Sequence, residues 1–105
     1  MIKWYILEKG KIKLCKDMMK IENFLRSKEK IIKQTHIGKV MVSTVFLSLD
    51  HSFNLTKKSK PILFETMIFG SKRIALKDYQ VRYSSLKDAK NGHLDAVKFA
   101  KHILK

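Results

Sequence analysis

A chain of 105 residues, 45% hydrophobic and 30% charged, has the size of one domain and the makeup of a globular one, which excludes a disordered tail or a multidomain assembly. Four Gly and one Pro leave no room for long linkers, and the lone Cys15 excludes an internal disulfide, as fits a reducing cytoplasm. Twenty-three basic against nine acidic residues give a formal charge of +14, which suits nucleic acid, an acidic protein face or an anionic membrane surface.

The opening residues Ile2–Leu7 are apolar and aromatic, and Glu8-Lys9-Gly10-Lys11 interrupts them. Alternation resumes from Lys11 to Cys15, so the segment predicts a small hairpin with Gly10 in its turn. This opening run is too short for a signal-peptide core. Val40–Leu49, the longest uncharged run, falls far short of the roughly twenty residues of a membrane span. A soluble, cytoplasmic protein with no membrane partner is expected. Cys15 reads either as a small hydrophobe ending a strand or, with lysines near it, as a reactive thiol.

Asp17 has the chemistry of an N-cap, and Met18, Ile21, Phe24 and Leu25 follow at helical spacing. A short amphipathic helix is expected to about Ser27. Glu29–Ile37 alternates loosely, as a strand does. Gly38 then turns the chain into Lys39–Leu49, which is apolar at both alternating sets of positions and reads as a central strand buried on both faces. Ser52–Lys60 is polar and basic, the expected exposed loop. Pro61 closes it ahead of a second apolar strand over Ile62–Phe69. Gln80–Tyr83 reads as a short last strand. Ser85 should cap a final helix whose apolar face runs through Leu86, Ala89, His93, Ala96, Val97, Ala100, Ile103 and Leu104. The expected fold is α+β over residues 1–105: a small antiparallel sheet of about four to six strands, a short N-terminal helix, and a longer C-terminal helix packed on the sheet.

Five residues stand out chemically. Asp50 and His51 follow the central strand, where functional groups often sit. They could orient a general base or hold a metal, or Asp50 could accept hydrogen bonds from loop amides while His51 packs beneath. Glu65 interrupts the apolar run between Phe64 and Thr66. A carboxylate there needs a solvent face or a partner, for which Arg82 and His93 are available. His93 lies on the apolar face of the last helix, beside Gly92. The histidines at 36, 51, 93 and 102 have no metal-ligand spacing, no Cys pair joins them, and no phosphate-binding loop, dinucleotide fingerprint or nucleophile elbow is present. No catalytic residue, cofactor or metal is therefore assigned.

Lys87, Lys90, Lys98, Lys101 and Lys105 share a narrow stripe of the last helix. Lys57, Lys58, Lys60, Lys72 and Arg73 would extend it if their loops lie nearby. Such a stripe suits a phosphate backbone or an acidic protein groove. It lacks the Arg and Asn of base readers and the aromatics of single-strand binders. Solvated lysine is the plain alternative. Arginine occurs only at Arg26, Arg73 and Arg82, and a Lys- and Ile-rich composition is also what an AT-rich genome writes.

Three blocks, VSTVFLSLDHSF (Val42–Phe53), PILFETMIFG (Pro61–Gly70) and RYSSLKDAKNGH (Arg82–His93), resemble a family of small proteins encoded by tailed phages and prophages. Its members read VSTVFLGLDH-F, PPLLFETMVFG and RY-T-EEA-GH in the same order. The likeness extends to IGKVMV at Ile37–Val42 and more weakly to WYILEKG at Trp4–Gly10. It places Asp50, His51, Glu65, Thr66, Arg82, Tyr83, Gly92 and His93 at motif positions. The chain departs from the pattern at Ser48, where Gly is usual, across Asn54–Lys60, which replaces a Gly/Pro-rich loop, and in Lys90 and Lys98, where relatives are often acidic. The resemblance implies a phage accessory protein of generally unassigned role and no enzyme activity. With the size and charge, it points to a protein that acts by binding: an inhibitor of a host defence such as CRISPR–Cas, directed at a defence protein or ribonucleoprotein effector. A basic RNA- or DNA-binding module is the alternative. A small-ligand protein or enzyme built on Asp50, Glu65, Arg82 and His93 would need those four groups around one pocket.

Overall fold

The computed structural model describes residues 2–50 and 60–105. Strands β1 (Trp4–Glu8) and β2 (Lys11–Cys15) form a two-stranded antiparallel sheet. Glu8 pairs with Lys11, leaving Lys9 and Gly10 as a two-residue turn with φ of 50° and 77°. Positive φ at both positions matches the twist of the flanking strands. Helix α1 (Met18–Arg26) follows. Its N-cap Asp17 accepts from the amides of Met19 at 3.1 Å and Lys20 at 3.3 Å, and Ile21 and Phe24 form its buried face. A single 3-10 turn (Lys28–Lys30) leads into the second sheet.

That sheet has the order β3 (Ile31–Ile37), β4 (Val40–Phe46), β5 (Phe64–Phe69), β6 (Gln80–Tyr83), antiparallel throughout. Between β5 and β6 a one-turn helix, α2 (Ile74–Lys77), buries Leu76. The last helix, α3 (Leu86–Ile103), is capped by Ser85, whose hydroxyl accepts from the Asp88 amide at 3.1 Å. The α+β expectation holds: two antiparallel sheets, a short early helix and an 18-residue C-terminal helix packed on the larger sheet.

Alternation along the strands settles which residues meet α3. Val40, Val42, Thr44 and Phe46 of β4 are buried and face it. At the Val40 end they join Ile68, Leu76, Ala96 and Ala100 in one core cluster. At the Phe46 end, Phe46 and Phe64 meet Ile6 and Cys15 of the hairpin, Phe24 of α1 and Ala89 of α3 in another. Phe46 touches Phe24 and Phe64 edge-on, with ring centroids 5.6 and 5.2 Å apart. The hairpin and α1 thus extend the helical layer on the α3 side. Cys15 ends β2 as a 9% exposed core residue whose thiol donates to the Asp17 carbonyl.

Three expectations change. β4 is central, but its second face is half-buried at Met41 and Val45 and buried at Ser43 between them. β4 also stops at Phe46 rather than Leu49, because the chain turns at Ser48. Leu49 bridges Trp4 instead, and the Tyr5 amide donates to the Ser48 carbonyl at 2.8 Å, which ties the hairpin to the end of β4. α2 has no counterpart in the sequence reading. Among the described residues no helix is long and apolar enough to cross a membrane.

Candidate functional site

The singled-out polar residues occupy three separate places. Asp50 lies just past the turn at Ser48, and its Oδ1 accepts from the Ile62 amide at 2.8 Å. This carboxylate joins the two ends of the segment between them, the loop-organising role of an Asx side chain. His51, Lys57 and Lys58 lie outside the described residues.

Glu65 and Arg82 form a cross-strand pair on the sheet face turned away from α3. Arg82 Nε donates to Glu65 Oε2 at 2.8 Å, and Gln80 Nε2 donates to the same oxygen at 2.7 Å. Glu65 is 8% exposed. Two donors on one carboxylate oxygen satisfy a nearly buried charge that would otherwise be costly. Arg82 is thus the partner of Glu65, and His93 is not.

His93 sits on the opposite face. Its ring lies between threonines of the edge strand β3 and the central strand β4, Nδ1 at 2.7 Å from Thr44 Oγ1 and Nε2 at 2.8 Å from Thr35 Oγ1. Thr44 Oγ1 continues to Thr66 Oγ1 at 2.5 Å. The chain of hydroxyls joins β3, β4 and β5 to α3. A neutral imidazole has one donor and one acceptor nitrogen, and each hydroxyl can serve either. Burial first, and the Lys33 ammonium second, push the His93 pKa below its ordinary value. His93, Thr44 and Thr66 are at most 1% exposed, and this hydroxyl–imidazole contact works as a pin between helix and sheet. Gly92 lets Tyr83 in: a Cβ there would stand 2.1 Å from the Tyr83 hydroxyl oxygen.

The four groups of the pocket reading are therefore dispersed. Glu65 and Arg82 lie on one face of the sheet, His93 on the other, and Asp50 at a loop base. Among the described residues no three His, Cys, Asp or Glu side chains are grouped to hold a metal ion.

The lysines of α3 do converge. Lys87, Lys90, Leu94, Lys98 and Lys101 follow one another at spacings of three and four, one ridge of α3, while Lys105 lies past the helix end at Ile103. Leu94, 51% exposed, stands in its middle. Lys33 of the β3 edge meets the ridge: with Ile32, it lines a cleft of about 220 Å3 against Lys90, His93 and Leu94. None of these lysines forms an ion pair among the described residues. Arg73 does not extend the ridge, because its guanidinium donates to the Ile103 carbonyl at the C-terminal end of α3. There it meets the negative end of the helix dipole. Lys72 and Lys60 are exposed beyond the ends of β5 and carry no ion pair among the described residues.

Sequence reasoning missed Lys33, Leu94, Gln80, Thr35 and Thr44, and named Thr66 only as a motif position with no role. Leu94 had a signal, an apolar residue at the centre of a lysine stripe. The threonines had a weaker one, hydroxyl residues inside strands otherwise apolar. Comparison with family models, with curated proteins and with solved structures finds no match to this chain.

Proposed function

We propose that this chain acts by binding: an accessory protein of phage or prophage type that works inside the host cell on a defence ribonucleoprotein of the CRISPR–Cas class, through the lysine ridge of α3. The observation that carries the reading is the unneutralised row Lys87, Lys90, Lys98 and Lys101, with Lys33 beside it and Leu94 at its centre. Lysines that form no ion pair keep more of their field for a partner, and an apolar residue among them adds a contact that salt does not screen. The dispersal of Asp50, Glu65 and His93 takes away the geometric basis for the pocket reading.

The test is a pull-down of the tagged chain from lysate of a host with an active CRISPR–Cas system, at low and high salt, with protein and nucleic acid identified in the eluate. An effector ribonucleoprotein should be retained by the native chain and lost with the Lys90→Glu, Lys98→Glu, Lys101→Glu variant. Retention by that variant overturns the role of the ridge. Elution of nucleic acid alone favours the second reading, a basic nucleic-acid-binding module, which the absence of ion pairs along the ridge also supports. In that case four lysines on a duplex should give a log K against log salt slope of about −3 to −4.

A further inference from the structure

The hairpin carries a second surface that the lysine ridge does not include. At its open end, past the Trp4–Cys15 pair, an apolar cleft of about 640 Å3 is lined by Ile2, Trp4, Leu14 and Met18, with Lys3 and Lys16 beside them. The volume lies within the range of pockets that hold ligands or anchor side chains. Ile2, Leu14, Met18 and the neighbouring Met19 are 73%, 51%, 61% and 74% exposed, four of the eight exposed large hydrophobic residues among the described ones. A cluster of this kind on a highly charged protein marks an interaction site, and methionine adapts to irregular partners.

The charge around the cleft says what fits. Lys3 and Lys16 form no ion pair among the described residues. The carboxylates nearest in sequence are already engaged: Glu8 by Lys13 and Lys20, each at 3.0 Å, and Asp17 by the Met19 and Lys20 amides. The cleft is therefore apolar within and positive beside. A second copy bringing another +14 would be repelled, and a concave cleft suits a peptide better than a flat bilayer. We propose that it docks an acidic amphipathic segment of a partner protein, an apolar side chain entering between Trp4, Leu14 and Met18 while flanking Asp or Glu residues meet Lys3 and Lys16.

Trp4 is the only tryptophan, so its emission reports occupancy directly. The full chain is titrated with a synthetic peptide of about ten residues, Asp and Glu around a central Phe-Leu pair. A second peptide carries Ser in place of Phe and Leu, and vesicles of phosphatidylcholine and phosphatidylserine serve as the membrane arm. The amphipathic peptide should give a saturable blue shift of Trp4. The Ser peptide, Met18→Asp and Lys16→Glu should each weaken it about tenfold or more, the scale of losing an anchor contact. Both substituted side chains are exposed, so far-UV circular dichroism should be unchanged. Lys98→Glu with Lys101→Glu should leave the titration as it is, which separates this surface from the ridge. The proposal is overturned if the Ser peptide binds equally well, if neither cleft variant weakens binding, or if only the vesicles shift Trp4.

Discussion

Replacing Ser48 by Gly should make the protein more stable. Past Phe46 the Leu49 amide donates back to the Leu47 carbonyl at 2.6 Å, closing a three-residue turn with Ser48 at its apex and φ of 62°. The positive-φ form of this turn is rare and strained. Ser48 is also fully buried, and its hydroxyl has no hydrogen-bond partner among the described residues. A residue with a Cβ held left-handed costs about 1–2 kcal/mol, and an unmatched buried hydroxyl about 1–3 kcal/mol. Against this, Gly adds about 0.5–1 kcal/mol of backbone entropy to the unfolded chain, and the lost Cβ forfeits about 0.8 kcal/mol of packing. The midpoints of these terms leave a net gain of about 2 kcal/mol, and each kcal/mol raises the melting temperature by roughly 4–8 °C in a domain of this size. Urea and thermal unfolding of the native chain, Ser48→Gly and Ser48→Ala give the assay. Ala keeps the Cβ, its packing and the strain but drops the hydroxyl, a gain of about 1–3 kcal/mol, so both variants should be more stable than the native chain, by similar amounts and with an unchanged urea m-value. A lower midpoint for Ser48→Gly would refute the reasoning. An unchanged midpoint for Ser48→Ala would refute the hydroxyl half of it.

His93 makes stability depend on pH. Its folded pKa lies below the unfolded value, so the neutral ring is favoured in the native state, and stability is full above about pH 6.5 and falls as the pH drops below it. Urea midpoints between pH 8 and pH 5 should show that slope, and His93→Gln, less stable at neutral pH, should lose that component of it. Gly92→Ala should cost about 1–3 kcal/mol, the scale of overpacking, because the new methyl meets Tyr83. Combining it with Tyr83→Leu should recover part of the loss by chemical denaturation, and strict additivity would contradict the clash. Arg82→Ala should cost about 1.5–3 kcal/mol, since it strips a charged hydrogen bond from the nearly buried Glu65. Glu65→Gln should cost less, and a double-mutant cycle without coupling would remove the pair as a stabilising contact.

Much of the fold was legible because local chemistry and the final structure agree. Alternation gave the hairpin around Gly10, Asp17 and Ser85 cap the two longer helices as expected, and the Glu65–Arg82 pair could be named from an acid stranded in an apolar strand. The failures have physical causes. α2 is one turn with a single buried residue, Leu76, too short to show a period. Leu47 and Leu49 continue an apolar run, and only the conformation of Ser48 breaks the strand there. The hydroxyl chain around His93 was hidden because Thr is an ordinary strand residue, and its members stand up to 58 positions apart. The ridge of α3 was visible in its spacing, whereas the arrival of Lys33 beside it depends on β3 being the edge strand on that side.

The placement of the lysines also bears on whether the charge is only compositional. A bias in codon usage is blind to the face of a strand. On β3, lysine stands at Lys33, on the α3 side, while the exposed Gln34 and His36 are not lysine. The face turned from α3 continues through Met41, Met67, Phe69 and Gln80, and its one charged pair, Glu65–Arg82, neutralises itself. Of the strand positions whose pairing puts them on that face, none is a lysine. Drift alone gives no reason for this, and a dedicated basic ridge on the other side does. Heparin chromatography distinguishes the two. Lys98→Gln with Lys101→Gln lowers the formal charge as much as Lys11→Gln with Lys28→Gln does, and all four side chains are exposed and free of ion pairs among the described residues. If the ridge is a binding surface, the first pair elutes at clearly lower salt than the second, because counterion release follows the phosphates contacted rather than net charge. Equal elution would mean that the charge acts as a diffuse cloud, and the ridge would lose its claim to be a site.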